Sequence, residues 1–343
     1  MKRIISATLA LILLLTLSLS LFSCADNKGE IKINPDKAHY VVGICQQNDH
    51  EALDDATMGF KEALSAALAA EGRTVEFKYQ SAQGETSNMS TIIAGFIASD
   101  VDMIVANGTA VLAAAYSATS TIPIVGTSIT EYGVALGIEG FDGTVGANVT
   151  GVSDLAPITQ QADVMIETLD LNPGNKVGLL FCSAEPNSLY QIKVIEEYFA
   201  SKSIDTERFS FSDSNDISAV TGRAAGSSDA IYIPTDNTAV SNAQTIYNVA
   251  SPIGIPVFVA DTGSCGICGF ATLSSGYYNI GVKAGKIAAE ILLGKADITK
   301  MPIAYDDAPE KFYNKYICEE LGIDIAALEA KGFSMLEGTS TAP

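Results

Sequence analysis

Short apolar runs alternate with amphipathic stretches along most of this chain. Tyr40–Cys45, YVVGIC, is a continuous apolar run rich in β-formers and predicts a buried strand. From Asp54 to Ala70 apolar residues recur at helical spacing (Ala56, Phe60, Ala63, Leu64, Ala67, Leu68), and Gly72 closes the helix. Thr74–Tyr79 alternates as a second strand, and Ser81–Asn88 is a polar loop. Met89–Ser99 predicts a helix with Ile92, Ile93, Phe96 and Ile97 inward. Strand Asp102–Ala106, helix Thr109–Ala118 and strand Ile122–Gly126 follow.

The order then restarts. Lys176–Phe181, KVGLLF, echoes YVVGIC, and Leu189–Lys202 is a helix with Ile192, Ile195 and Phe199 inward. Strand Thr206–Phe211, helix Ile217–Ala225, strand Asp229–Ile233, helix Thr238–Ala250 and strand Ile255–Ala260 complete the echo. Repeated β-α order predicts parallel sheets with right-handed crossovers, here an α/β chain of two matching lobes. Between the halves lie Gly146–Asp154 and a helix over Ile158–Leu169. After them come a strand at Ala271–Ser275, a helix at Asn279–Leu293, an extended Met301–Tyr305 and a helix at Lys311–Leu321. These later elements recross, which makes three hinge connections. The expected lobes are 39–150 with about 268–298, and 151–267 with about 299–335; residues 336–343 read as a flexible tail.

Open α/β sheets bind ligands where strands run out into turns and helix N-termini. The chain has two matched stretches of this kind, Asp102–Val111 (DMIVANGTAV) and Asp229–Val240 (DAIYIPTDNTAV). Residues just after strands are therefore the candidate contacts. In the first half these are Gln46, Gln47, Asn48, Asn107, Gly108, Thr109, Thr127, Ser128 and Thr130; Ser153 and Asp154 lie at the crossover. In the second half they are Ser183, Glu185, Asn187, Ser188, Thr235, Asp236, Asn237 and Asp261. The first set is neutral, rich in hydroxyls and amides, with a helix opening at Thr109 that suits a carboxylate. Asp154, Asp236 and Asp261 suit an ammonium group. A neutral pole facing an acidic one fits a zwitterion such as an amino acid. Any one of these residues is also an ordinary N-cap; their repetition at matched places singles the set out. His50, near the first helix start, reads as a capping or surface residue, with a binding role as the alternative.

The chain has 343 residues, 48% of them hydrophobic and 17% charged, enough for two packed cores. Net charge is −20, which repels nucleic acid phosphates, and no basic patch overrides it. Lys2 and Arg3 precede an almost wholly apolar run, Ile4–Leu21, followed by Leu-Phe-Ser-Cys ending at Cys24. This resembles the lipobox of bacterial lipoproteins, which implies a signal peptide over 1–23, a lipidated Cys24 and a polar tether to about residue 38. The apolar run is also long enough to span a bilayer, but a Cys right at its end favours the lipoprotein. Five further cysteines remain, an odd number in a large chain, so they do not form a disulfide framework. Cys265 and Cys268 form a C-x-x-C among Gly263, Gly266 and Gly269, expected in a loop. A secreted redox enzyme built on that pair is the outlying alternative. No catalytic constellation, metal-ligand spacing or cofactor fingerprint is present, so neither enzyme activity nor a cofactor is expected.

The stretches VGICQQNDHEALDDATMGFKEAL, YQSAQGETSNMSTI, NVTGVSDLAP, DAIYIPTDNTAVS and IPVFVADT, with the lipobox, resemble the substrate-binding lipoproteins of ABC transporters related to the tryptophan/tyrosine-binding group. The resemblance covers Tyr40–Leu321. It implies the type I periplasmic-binding fold, two Rossmann-like lobes with parallel sheets joined by three hinge crossovers, a monomer on the outer face of the membrane or in the periplasm, an ABC permease partner and a small solute. That solute is expected to be an aromatic amino acid held by hinge closure; a nucleoside, sugar or other small signal is the alternative in the same fold. By the match, Gln47, Thr109, Ser128, Ser153, Asp154, Thr235, Asp236, Asn237 and Asp261 carry over as site positions.

Overall fold

The computed structural model describes residues 29–306 and 308–339; the expected signal segment and the lipidation site Cys24 lie outside the described residues. The first lobe opens with β1 (His39–Gln46), α1 (Glu51–Ala70), β2 (Thr74–Ser81), α2 (Thr86–Ala98), β3 (Met103–Asn107), α3 (Thr109–Ala118), β4 (Ile124–Ile129), α4 (Tyr132–Leu136) and β5 (Val149–Ser153). The chain then crosses into the second lobe. This contains α5 (Ile158–Leu169), β6 (Lys176–Cys182), α6 (Pro186–Ser201), β7 (Asp205–Phe211), α7 (Ile217–Ser227), β8 (Ala230–Ile233), α8 (Asn237–Val240), α9 (Ala243–Ala250), β9 (Val257–Val259), α10 (Thr262–Ile267) and β10 (Ala271–Ser274). It returns to the first lobe for α11 (Tyr277–Leu292) and β11 (Ala304–Tyr305). A third crossing leads to β12 (Glu310–Tyr313), α12 (Lys315–Leu321), α13 (Ile325–Ala330) and β13 (Ser334–Met335).

The six-stranded sheet runs β11-β5-β4-β3-β1-β2 and the seven-stranded sheet β13-β12-β10-β9-β8-β6-β7. Every pair in the first sheet is parallel. In the second only β10 and β12 run antiparallel. The doubled β-α pattern thus becomes the expected two-lobe α/β fold. Its three crossings are stitched together: Ser275 Oγ donates to the Asp154 carbonyl at 3.2 Å, and the Gly276 N–H donates to Asp306 Oδ2 at 3.0 Å.

Pairing moves the expected lobe boundaries. Ala271–Ser274 stays in the second sheet, because it hydrogen-bonds to β9, so the chain does not leave that lobe at 268. Ala304–Tyr305 pairs with β5 and belongs to the first sheet, although 299–335 was expected in the second lobe. Residues from Ile31 on are not a loose tether: Ile31 and Ile33 pack on the first lobe's core, and the Lys32 N–H donates to the Thr121 carbonyl. The tail is tied down as far as Thr339, which bonds Tyr316 and Leu336. The helix expected over Thr238–Ala250 is broken between Val240 and Ala243, and the one expected from Lys311 starts only at Lys315.

Each sheet is covered on both faces, which is why its central strands are continuous apolar runs. In the first lobe Ile93, Phe96 and Leu112 pack on one face, and Phe60, Leu64, Ile280 and Ala284 on the other. In the second, Met165, Ile195 and Phe199 cover one face and Val220, Ala224 and Ile246 the other. Helices α1 and α11 approach backbone to backbone: a Cβ on Gly281 would lie 2.1 Å from the Ala56 carbonyl oxygen. Gly281→Ala must therefore push the two helices apart. It is expected to lower stability by about 1–3 kcal/mol in urea denaturation, with an unchanged m-value.

Candidate functional site

The C-terminal strand ends of the two sheets face each other across a narrow cavity. The two lobes approach each other closely around it. From the first lobe His50, Thr109, Ser128, Thr130 and Asp154 line it; from the second, Asn187, Thr235, Asp236, Asn237 and Asp261. Ala52, Leu53, Val240 and the ring of Tyr277, which opens α11, supply apolar wall. Asn237 Oδ1 of the second lobe meets His50 Nε2 of the first at 3.4 Å.

The three aspartates differ in what holds them. Asp154 follows β5. The Tyr277 hydroxyl donates to its Oδ2 at 3.0 Å, while Oδ1 is buried with no partner. Burial pushes its carboxyl up to about 6, opposed by the Thr130 and Tyr277 donors and reinforced by the charge of Asp261. Asp261 follows β9 and caps α10, with Oδ1 accepting the Ser264 N–H at 2.7 Å; its Oδ2 is buried and unpartnered. Burial raises its pKa too, and the ring of His50 eases it. Asp236 follows β8 and is fully used. Oδ1 caps α8 through the Ala239 N–H at 2.8 Å, and Oδ2 accepts the Cys182 N–H at 2.6 Å and the Ser188 hydroxyl at 2.8 Å. Burial first, then the charge of Glu185, pushes it up to about 8.

Ser128 sits where the β4–β5 register shifts between Gly126 and Ile129. It holds a left-handed backbone, φ 57°, with Oγ buried and unpartnered. Strain of this kind in a non-glycine residue is found where a side chain has to be aimed at a site. The structure thus gathers Thr109, Ser128, Asp154, Asn187, Thr235, Asp236, Asn237 and Asp261 around one cavity.

It leaves several expected residues outside the lining, Glu185 and Ser188 among them, the Ser188 hydroxyl being spent on Asp236. Gln47 Oε1 accepts the Ala110 N–H at 3.0 Å in the first turn of α3, and the residue faces a neighbouring open pocket with Asn48 and Ser241. Asn107 is buried and ties β3 to α1, its amide donating to the Leu53 carbonyl at 2.8 Å and Thr57 Oγ1 at 3.0 Å. Gly108, φ 114°, makes room for Gln47: a Cβ there would sit 2.6 Å from Gln47 Cβ. Ser153 Oγ donates to the Thr130 carbonyl at 2.8 Å. His50 precedes α1 without a side-chain cap bond and lines the cavity, contrary to its reading as a capping or surface residue. Tyr277 was missed altogether, although it follows β10 just as the other candidates follow their strands.

The cysteine pair is not a loop. Cys265 lies within α10, both thiols are buried and free, and burial raises rather than lowers their pKa values. A redox nucleophile needs the opposite environment.

A family model described as ABC transporter substrate binding protein matches residues 41–329. The chain belongs to that family. As an ABC substrate-binding protein it binds a small molecule, works with an ABC permease and is extracytoplasmic. It is 28% identical to a tyrosine-binding protein of Clostridioides difficile (strain R20291), over 99% of this chain and 98% of that one. A solved ABC domain in complex with L-Trp from Streptococcus pneumonia matches with a TM-score of 0.79 at 26% identity, covering 86% of this substrate-binding protein and 99% of the other. A ligand-free, open substrate binding protein with adhesive properties from Clostridium difficile matches at the same 26% identity with a TM-score of 0.65, covering 87% and 99%.

Proposed function

We propose that this substrate-binding protein captures an aromatic amino acid in the cavity between its lobes. The observation that carries the reading is a pair of buried carboxylate oxygens without partners, Asp154 Oδ1 and Asp261 Oδ2. They share one narrow cavity with the Ser128 hydroxyl and the N-terminal end of α3 at Thr109. Buried unpartnered acceptors are costly, and an ammonium group satisfies both at once. A hydroxyl beside a helix N-terminus suits the carboxylate of the same molecule. Leu53, Val240 and the Tyr277 ring suit an aromatic side chain. The ammonium thus falls to Asp154 and Asp261 rather than to Asp236, whose oxygens already serve the protein.

The relatives named for tyrosine and L-Trp support this ligand class. The better match to the L-Trp complex than to the open protein supports reading the arrangement as closed. Ligand contacts to both lobes favour that state, so binding is coupled to hinge closure. A lipid anchor at Cys24 and a monomeric state belong to the same proposal and rest on the sequence.

Thermal shift of the chain from Ala25 onward tests it. L-Trp, L-Tyr or L-Phe at a hundred times its dissociation constant is expected to add about 2.7 kcal/mol of stability. A shift with D-glucose or uridine and none with these amino acids would overturn the ligand class.

A further inference from the structure

The second crossing holds Asp154 at two points. The Ser275 hydroxyl donates to its backbone carbonyl at 3.2 Å, and the Tyr277 hydroxyl donates to its Oδ2 at 3.0 Å. Between them the Gly276 N–H donates to Asp306 of the third crossing at 3.0 Å. Tyr277 is itself fixed. Its ring is buried with Ala52 and Ala56 of α1, and it opens α11, which lies backbone to backbone on the same helix. Asp154 follows β5 of the first sheet, so both ends of the bond sit on elements of the first lobe. Asp261, by contrast, follows β9 and belongs to the second lobe.

A carboxylate turns about its last bond unless donors fix it. The Tyr277 hydroxyl takes Oδ2, which leaves Oδ1 as the oxygen that is buried and unpartnered at the cavity. Resting on the reading of Asp154 as a partner of the ligand's ammonium, we propose that Tyr277 is a positioning residue whose hydroxyl, and not only its ring, presets Asp154 Oδ1 toward the ligand. Because the bond lies within one lobe, hinge closure does not have to make it. Removing the hydroxyl leaves Oδ2 as a second buried acceptor and frees the carboxylate to turn. It also changes titration. Burial, the largest influence, disfavours the charge on Asp154, while Thr130 and the Tyr277 donor favour it. The other ionisable groups around Asp154 are Tyr132 of α4, Asp306 of the third crossing and, across the cavity, His50, Asp236 and Asp261. None of them is altered by Tyr277→Phe, which keeps the ring and removes one oxygen.

The test is calorimetric titration of the wild type, Tyr277→Phe, Asp154→Asn and the double variant with L-Trp, L-Tyr and L-Phe between pH 5 and 8. At pH 7 Tyr277→Phe is expected to bind about tenfold more weakly than the wild type. The pH at which affinity is half its upper limit is expected to rise by about 0.5 or more, since the ionised carboxylate has lost a donor. On the Asp154→Asn background the same substitution is expected to cost less than about threefold, because the hydroxyl acts through Asp154. A group that served only to pack the ring would change none of these. Wild-type affinity in Tyr277→Phe, an unmoved pH profile, or a loss equally large on the Asp154→Asn background would each overturn the role of the hydroxyl and leave the ligand reading intact. Binding of none of the three amino acids by the wild type would overturn that reading and this role with it.

Discussion

A variant carrying Asp154→Asn is expected to bind its amino acid about a hundredfold more weakly than the wild type, yet to melt no lower at pH 7. The loss of affinity follows from removing one partner of a desolvated charge pair, an effect of about 2–5 kcal/mol. The retained stability follows from linkage. The carboxyl of Asp154 titrates near 6 in the folded chain and at its ordinary lower value when unfolded. Between those values the folded state binds the extra proton, so its stability falls as pH rises through that window. At pH 7 the full penalty of a buried charge is present, and asparagine removes it while keeping an oxygen for the Tyr277 hydroxyl. Affinity runs the other way. An ammonium needs the ionised carboxylate, so wild-type binding at pH 5 is expected to be about tenfold weaker than at pH 7. Asp261 faces the same group and is also raised, which sharpens the dependence. Titration calorimetry at the two pH values checks this; a flat wild-type profile would show that Asp154 does not hold the ammonium.

Much of this arrangement is legible in the chain, and its failures have physical causes. Met103–Asn107 is buried at every position, so its apolar run identified a central strand directly. Strand β12, second from the edge of its sheet, did not announce itself. Glu310–Tyr313 runs without a break into the helical pattern of α12, and only the side chain of Asn314, which accepts the Ile317 N–H, marks where strand ends and helix begins. The site obeys the same limit. A residue that follows a strand is near the cleft, but its position does not tell where the side chain points. Asn107 closes β3 and Asn187 lies just beyond β6, and both were candidates on the same ground. One turns into the protein toward Leu53 and Thr57, the other leaves an oxygen at the cavity. What separates them is Glu185, only two residues before Asn187, whose carboxylate takes the amide nitrogen at 3.2 Å; the pattern picks out both residues but not which atom is left facing the cavity.

Glu185→Gln is accordingly expected to lower stability by about 3 kcal/mol and to weaken ligand binding as well. The carboxylate accepts five donors: Asn187 Nδ2 and both nitrogens of Asn237 on Oε2, the N–H and hydroxyl of Thr238 on Oε1. Glutamine keeps one acceptor oxygen and turns the other into a donor. Whichever way its amide lies, at least one backbone N–H at the start of α8 then faces an NH2 group inside the protein. Each buried donor left unpaired costs about 1–3 kcal/mol, and hydrogen bonds to a charged acceptor are the stronger kind. One term opposes this: the charge of Glu185 raises the pKa of Asp236, and removing it relieves that repulsion. The relief touches one neighbour, whereas the lost bonds touch three residues, so destabilisation wins. Urea denaturation monitored by circular dichroism measures the first effect and calorimetry the second. A variant as stable as the wild type would mean that α8 and the two amides are held by the backbone alone. Loss of affinity with full stability would instead locate the role of Glu185 in aiming Asn187 and Asn237.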